Sequence, residues 1–276
     1  MRPKKWFVNS IVLWPLILLC KPINLEVTLN TFIAFFIVCL LSSANYIIND
    51  YVNHENDFSH PIKFKRSLVL EKVNMFVLII LVFLIFFVSI IISLTMNLYF
   101  GLFCLLFVIW QIMYTFIFRE LFIIDVLVIG GGYILRVAIG AFFYKVPIDF
   151  SFMFFVFFLC CFILFCKRKQ ELLLNDDKIK YRRTLLKYKS GLLDKLIFFS
   201  ALLCIISYVL LTNVFITYRL TFTLPFIVYG ICRYVYLVYY ENKGLFPEKE
   251  LFSDKPLVVN YLLCVLVFFI LRQFRV

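Results

Sequence analysis

The sequence predicts an all-α protein, a polytopic membrane bundle of nine transmembrane helices, and three observations carry that prediction. The first is composition: 64% of the 276 residues are hydrophobic and only 16% are charged, against roughly 45–50% apolar and 25% charged in soluble domains. One core cannot absorb that surplus, so much of it must face an apolar solvent. The second is run length. The apolar residues fall in continuous stretches near the roughly 20 residues a helix needs to cross about 30 Å of hydrocarbon. Continuous runs also exclude a membrane barrel, which needs alternation. The third is that Lys and Arg concentrate in alternate loops. A soluble enzyme, a disordered chain and a disulfide-stapled secreted module are thereby excluded, and residues 1–276 are expected to form a single integral membrane domain.

The first expected span, 7–24, is the least regular, interrupted by Asn9, Ser10 and Pro15. The second, 28–48, ends in a polar tail, and a charged loop leads to 73–95, a run without a charge. Asn97 breaks that run from the next, 97–118, and Arg119-Glu120 separates it in turn from 122–144. After Lys145 and Pro147 comes 150–166, rich in Phe and Cys, followed by the charged segment 167–195. The remaining spans are 196–218, 221–240 and 256–271, the last brief and carrying Asn260.

Charge counting supports nine. With the N-terminus in the cytoplasm, 21 of the 28 basic residues lie on that side. Lys21, Lys145, Arg219, Arg272 and Arg275 lie opposite, and Arg136 and Arg233 fall within spans. Such a bias fixes orientation, with the N-terminus at the cytoplasmic face of the inner membrane. Removing the first span would strand Arg2, Lys4 and Lys5 on the wrong side. Fourteen of the sixteen acids share the cytoplasmic face, leaving Glu26 and Asp149 outside. Carboxylates contribute little to orientation, so their clustering calls for another reason, and metal-bridged phosphate chemistry supplies one.

Nine cysteines with no C-x-x-C pair read as small buried hydrophobes. The net charge of +12 resides in short loops, which suits anionic lipid and gives no reason to expect nucleic acid. No cleavable leader is expected, since no small-x-small site follows the first apolar stretch. Nothing in the sequence points to an oligomer.

Four clusters carry candidate chemistry. Asn49-Asp50 opens the first; on a continuing helix Asp50, Asn53 and Asp57 stand at i, i+3 and i+7, one stripe. Two carboxylates and an amide oxygen are hard donors suited to Mg2+, although a simple polar helix end reads the same way. The second is His60-Pro61-Ile62-Lys63-Phe64-Lys65-Arg66, a loop by virtue of Pro61 and a cationic partner for a Mg2+–diphosphate. His54 and His60 are too few for a zinc site. The third runs from Tyr114 and Arg119 to Asp125-Val126, Gly130-Gly131-Gly132 and Arg136. Arg136 stands about 16 Å along a helix from Asp125 and should face the bundle interior. It could meet an anion or carboxylate there, or serve structurally on backbone carbonyls; the glycines admit a neighbouring helix or a ligand. The fourth, 167–195, reads as an amphipathic surface helix, with Lys167 and Arg168 as candidates for a phosphate pocket.

In this order these residues resemble the UbiA superfamily of intramembrane prenyltransferases, and within it the branch of decaprenyl-phosphate (polyprenyl-phosphate) phosphoribosyltransferases. Arg2-Pro3-Lys4-Lys5-Trp6 with Asn9 is similar to that branch's R-P-x-Q-W-x-K-N opening. Asn49-Asp50, Asp57, His60-Pro61, Lys63 and Arg66 resemble its N-D-x-x-D-x-x-x-D and H-P-x-K-x-x-R-P block. Tyr114 through Asp125-Val126, Leu135-Arg136 and Gly140-Ala141 resemble its central segment, as do Arg233-Tyr234 and Leu251-Phe252-x-Asp254-x-Pro256-Leu257 near the end. Asn53, Arg119 and Ser67 depart from the pattern's Asp, Lys and Pro, and Lys5 and Val8 also differ.

The resemblance implies a UbiA-like bundle and a Mg2+-dependent transferase of the cell membrane. Its substrates would be phosphoribosyl pyrophosphate and a polyprenyl phosphate lipid. It implies Asp50, Asp57 and Asp125 as catalytic, with Asp50, Asn53 and Asp57 holding the metal. Asn49, Lys63, Arg66, Tyr114, Arg119, Arg136, Lys167 and Arg168 are then expected at the substrates. The alternatives are an aromatic prenyltransferase that uses a prenyl diphosphate donor, an inactive relative, and a transporter, for which the chain lacks a duplicated pair of broken helices.

Overall fold

The computed structural model describes residues 3–14, 25–54, 74–145, 150–173, 188, 190–214 and 218–273, and these are helical wherever they are regular. A 3-10 helix, Pro3–Leu13, comes first. Then follow α1 (Leu25–Val52), α2 (Met75–Met96), α3 (Leu98–Phe116), α4 (Ile124–Phe143), α5 (Phe150–Leu173) and α6 (Ser190–Val214). The last three are α7 (Leu224–Tyr239), α8 (Pro247–Ser253) and α9 (Lys255–Gln273).

Seven of these helices are long and apolar enough to cross a membrane, or eight if α8 and α9, bent by 79° at Asp254, count as one broken span. The expected count was nine. One difference lies in the first run, where residues 3–13 form a 3-10 helix instead of an α-helix and residues 15–24 lie outside the described chain; the other lies in the last, where α9 qualifies only when joined with α8. The outward faces are apolar as a lipid solvent requires; on α2, Phe76, Phe83, Leu84 and Phe87 are all exposed.

The described residues gather into two compact units, one up to Lys145 and one from Phe150 onward. In the first, α1 to α4 make successive hairpins. Asn97 closes α2 and caps α3, its side chain accepting from the Phe100 N–H at 3.1 Å. At the α1–α2 connection, the Tyr51 hydroxyl donates to the Met75 sulfur at 2.9 Å. Val12, Ile37, Val38, Leu41, Phe100, Phe107 and Ile139 form the core, drawn from the 3-10 helix, α1, α3 and α4. The 3-10 helix packs against both α1 and α4.

The glycine run of α4 serves helix approach. A Cβ on Gly131 would stand 2.7 Å from Cζ2 of Trp110 on α3. The indole Nε1–H lies across α4 and donates to the Val128 carbonyl at 2.8 Å.

In the second unit, α5 extends two turns beyond the predicted end at 166, because its charged tail finds partners. Arg168 pairs with Glu171 at 2.5 Å, and Lys169 pairs with Asp194 of α6. The Lys169 ammonium also sits 3.7 Å from the centre of the Tyr239 ring on α7, whose hydroxyl donates to the same carboxylate. The segment expected as a surface helix thus begins as α5 and ends as α6; residues 174–187 and 189 lie outside the described chain.

Beyond α7 the chain turns on Gly244, at φ +130. A Cβ there would meet Gln170 at 2.9 Å and Val238 at 3.0 Å. Its N–H donates at 2.6 Å to the buried Glu250 carboxylate, which also accepts from the Phe246 N–H at 3.3 Å and the Tyr234 hydroxyl at 3.4 Å. Asp254 accepts from Arg233 at 2.8 Å and from the Leu257 N–H at 3.0 Å, capping α9.

Two stability measurements in detergent follow from this packing. Gly131→Ala drives a methyl into Trp110 and should cost about 1–3 kcal/mol, the usual penalty of overpacking. Glu250→Ala orphans the buried Gly244 N–H and should cost about 1–3 kcal/mol, while Glu250→Gln, which keeps one acceptor oxygen, should cost less. A thermal unfolding midpoint unchanged in both alanine variants would contradict these contacts.

Candidate functional site

The end of α1 is polar because its last turns hydrogen-bond along their own backbone. The Asn45 side chain donates to the Leu41 carbonyl at 3.0 Å. Asn53, 3% exposed, donates from its side-chain nitrogen to the Asn49 carbonyl and to the Asn49 amide oxygen at 3.1 Å. With that nitrogen engaged, the Asn53 amide offers its oxygen to a ligand. Asp50 lies half-buried in the same turn. Lys5, on the 3-10 helix, stands 5.6 Å from the centre of the Tyr46 ring one turn below.

Asp125 is fully buried in the first turn of α4, where the helix N-terminus stabilises a carboxylate by about 0.3–1 kcal/mol. The turn ahead of it is strained. Ile123 has φ 63 and ψ −43, and the Ile124 N–H donates across it to the Phe122 carbonyl at 2.7 Å, a γ-turn. A β-branched residue at positive φ costs about 1–3 kcal/mol and persists only where its surroundings impose it. Half-buried Tyr114 lies in the last turn of α3, and half-buried Arg119 occupies the short 3-10 turn Phe118–Glu120. One α3–α4 hairpin therefore carries Tyr114, Arg119 and Asp125, while the end of α1 carries Asn49, Asp50 and Asn53. Both belong to the first unit. Lys167 and the buried Arg168 belong to the second, on the last turns of α5. Asp57, Lys63 and Arg66, with His60, lie outside the described residues.

Arg136 is inside the bundle, as its depth requires, at 4% exposure. Among the described residues its hydrogen-bond partners are neutral, one of them a backbone carbonyl as the structural reading allows. Nε donates to the Asn9 amide oxygen at 2.9 Å and one terminal nitrogen to the Gly132 carbonyl at 3.0 Å. The rings of Phe107 and Tyr133 lie 4.8 and 5.0 Å from the guanidinium carbon. Asn9 also accepts from the Ser42 hydroxyl at 3.2 Å and donates to the Cys39 sulfur at 3.4 Å. Asn9 and Ser42 were not expected at this arginine. The available signal was the run of polar residues at positions 42, 43 and 45 within an apolar span.

Among the described residues no three His, Cys, Asp or Glu side chains gather into a metal cluster. The donor types nevertheless fit Mg2+: Asp50 and Asn53 at the end of α1 offer carboxylate and amide oxygens, and Asp125 offers a second carboxylate.

Comparison with known proteins agrees with this architecture. The profile of the UbiA prenyltransferase family matches residues 11–246. A decaprenyl-phosphate phosphoribosyltransferase from Mycolicibacterium smegmatis is 26% identical over 197 residues, which is 70% of this chain and 62% of that protein. A UbiA homologue from Archaeoglobus fulgidus, solved with DMAPP and Mg2+, superposes with a TM-score of 0.75 at 14% identity, covering 99% of this chain and 97% of that one. The same homologue bound to Cd2+ gives 0.70 at 12% identity, covering 98% and 96%. A helical fold shared over nearly its whole length and a family profile that runs through both compact units place this chain in the UbiA prenyltransferase family.

Proposed function

We propose that residues 1–276 act as one transferase domain of the cytoplasmic membrane, with the N-terminus and the reaction on the cytoplasmic side. The reaction transfers 5-phosphoribose from phosphoribosyl pyrophosphate to a polyprenyl phosphate. The observation that carries this reading is the match, over 70% of the chain, to a relative named decaprenyl-phosphate phosphoribosyltransferase. The order of acid and base motifs along the sequence supports it.

In this reading Asp50, Asn53 and Asp57 hold Mg2+ at the donor diphosphate, and Asp125 orients the ribose or supports a second ion. A bound Mg2+ supplies partial neutralisation of the diphosphate charge. Lys63, Arg66 and Arg119 bind phosphate oxygens, with Asn49 and Tyr114 as neutral hydrogen-bonding groups. The ribose C1–O bond to pyrophosphate breaks with its electron pair leaving on pyrophosphate, and a polyprenyl phosphate oxygen forms the new bond to C1. The cationic side chains favour the departing charge more than the ground state. The nucleophile is already an anion, so the step needs no strong general base.

A second reading has support of its own. The Archaeoglobus homologue was solved with a prenyl diphosphate, DMAPP, and an aromatic prenyltransferase would use such a donor. Purified protein supplied in parallel with labelled phosphoribosyl pyrophosphate plus polyprenyl phosphate, or labelled prenyl diphosphate plus an aromatic acceptor, separates the two. Consumption of the first label alone, with pyrophosphate released, is expected; consumption of the second alone would overturn the phosphoribosyl assignment.

Asp50→Ala should lower pyrophosphate release at least about a hundredfold, the scale of lost transition-state charge stabilisation, with helix content and gel-filtration profile retained. Chelation of divalent ions should stop the wild-type reaction, and added Mg2+ should restore it. Turnover that survives either treatment would contradict the metal-bridged site.

A further inference from the structure

We propose that Arg136 and Asn9 are positioning residues, and that their contact sets the register between the two acid-bearing helices, α1 and α4. The proposal rests on the reading of Asp50 and Asp125 as donor-site residues. Two polar links tie these helices at measured places. At one end, the Tyr144 hydroxyl just after α4 donates to the Thr31 hydroxyl of α1 at 2.8 Å. Deeper in, Asn9 accepts from Ser42 of α1 at 3.2 Å and from Arg136 of α4 at 2.9 Å, so one amide oxygen bridges both helices.

Between these links α1 advances from position 31 to 42 while α4 retreats from 144 to 136, which makes the helices antiparallel. Continuing the same way, α1 reaches Asn53 eleven residues past Ser42, and α4 reaches Asp125 eleven residues before Arg136. The bridge therefore lies about 16 Å beneath Asn53 and Asp125, and about 12 Å beneath Asp50, which stands eight residues past Ser42. Cys39, Ser42, Tyr46, Asn49 and Asn53 recur at intervals of three and four residues, so the face of α1 that meets Asn9 also carries the polar end.

The bridge is buried throughout. Ser42 is 2% exposed, Asn9 1% and Arg136 4%, and the guanidinium is flanked by Phe107 and Tyr133. A buried cation at this depth tolerates no loss of its acceptors. A slip of either helix by one turn, about 5.4 Å, would break the Arg136–Asn9–Ser42 chain and the Tyr144–Thr31 bond together.

The test combines kinetics with a distance that needs no turnover. Variants Asn9→Leu, Arg136→Met, their double, the milder Ser42→Ala and the acceptor-preserving Asn9→Asp are compared at equal folded amounts. Asn9→Leu and Arg136→Met should each lower kcat at least tenfold and raise the Mg2+ concentration for half-maximal activity severalfold. The double variant should be no worse than either single one. KM for phosphoribosyl pyrophosphate at saturating Mg2+ should stay within twofold, and Asn9→Asp should recover most of kcat. In parallel, spin labels at Val52→Cys and Leu127→Cys, exposed positions near the two acid ends, are read by pulsed electron resonance in a Cys232→Ser background. The distance distribution should be narrow in the wild type and broaden in Asn9→Leu and Ser42→Ala.

An Arg136→Met effect confined to KM and independent of Asn9, or an unchanged label distance in Asn9→Leu, would overturn the proposal. Should the wild type turn over no phosphoribosyl pyrophosphate, the functional reading fails while the label distances still decide the bridge. If Asn9→Leu and Arg136→Met do not fold, Ser42→Ala and Asn9→Asp carry the same comparison.

Discussion

A positive charge deep in an apolar bundle is the constraint around which the first unit is organised. Arg136 cannot face lipid cheaply, so every element within reach supplies it with something. The 3-10 helix gives the Asn9 amide, α4 gives its own Gly132 carbonyl, and α3 gives the Phe107 ring. The 3-10 segment that carries Asn9 packs against both α1 and α4. The apolar core grows around the same junction, with Val12, Leu41, Phe107 and Ile139 drawn from the four elements that meet there. The arginine and the core are thus two descriptions of one packing solution.

The second unit solves a comparable problem with opposite charges. Lys169 and Asp194 lie toward helix ends, Arg233 lies within α7 and Asp254 at the start of α9, and the Lys169–Asp194 and Arg233–Asp254 pairs tie these elements together. Each pair has one partner largely buried, Lys169 in the first and Asp254 in the second, so removing the other partner would leave a charge without its counter-ion. Their effect here is also geometric, since Asp254 both receives Arg233 and caps α9 at the 79° bend. The buried Glu250 fixes the intervening turn through backbone N–H groups, which restricts that turn to the path Gly244 permits.

The sequence disclosed the helical membrane class through composition and run length, and the family through the resemblance of its motifs, in order, to those of UbiA proteins. Helix ends were less legible. The tail of α5 reads as a charged surface segment until Glu171 and Asp194 are seen to neutralise Arg168 and Lys169, and such pairing is long-range information. Arg136 shows the same boundary within the candidate site. Depth required it to face inward, and it does; its partner could not be read, because Asn9 lies 127 residues away. The glycine run was open to a helix or a ligand, and Trp110 occupies the position facing Gly131. Asp125 was legible as a helix-start acid, but the strained Ile123 turn that presents it has no sequence signal, since isoleucine is among the residues least suited to positive φ.

In the proposed reaction the acid end of α1 and the buried acid of α4 serve one metal–diphosphate assembly. Anomalous diffraction from crystals grown with Mn2+ and inorganic pyrophosphate tests it most directly. A manganese peak bonded to the Asp50 carboxylate is expected, with Asp125 at the same ion or at a second ion sharing the pyrophosphate. Pyrophosphate bound with no manganese at Asp50, or with its metal held by residues of neither helix, would contradict it.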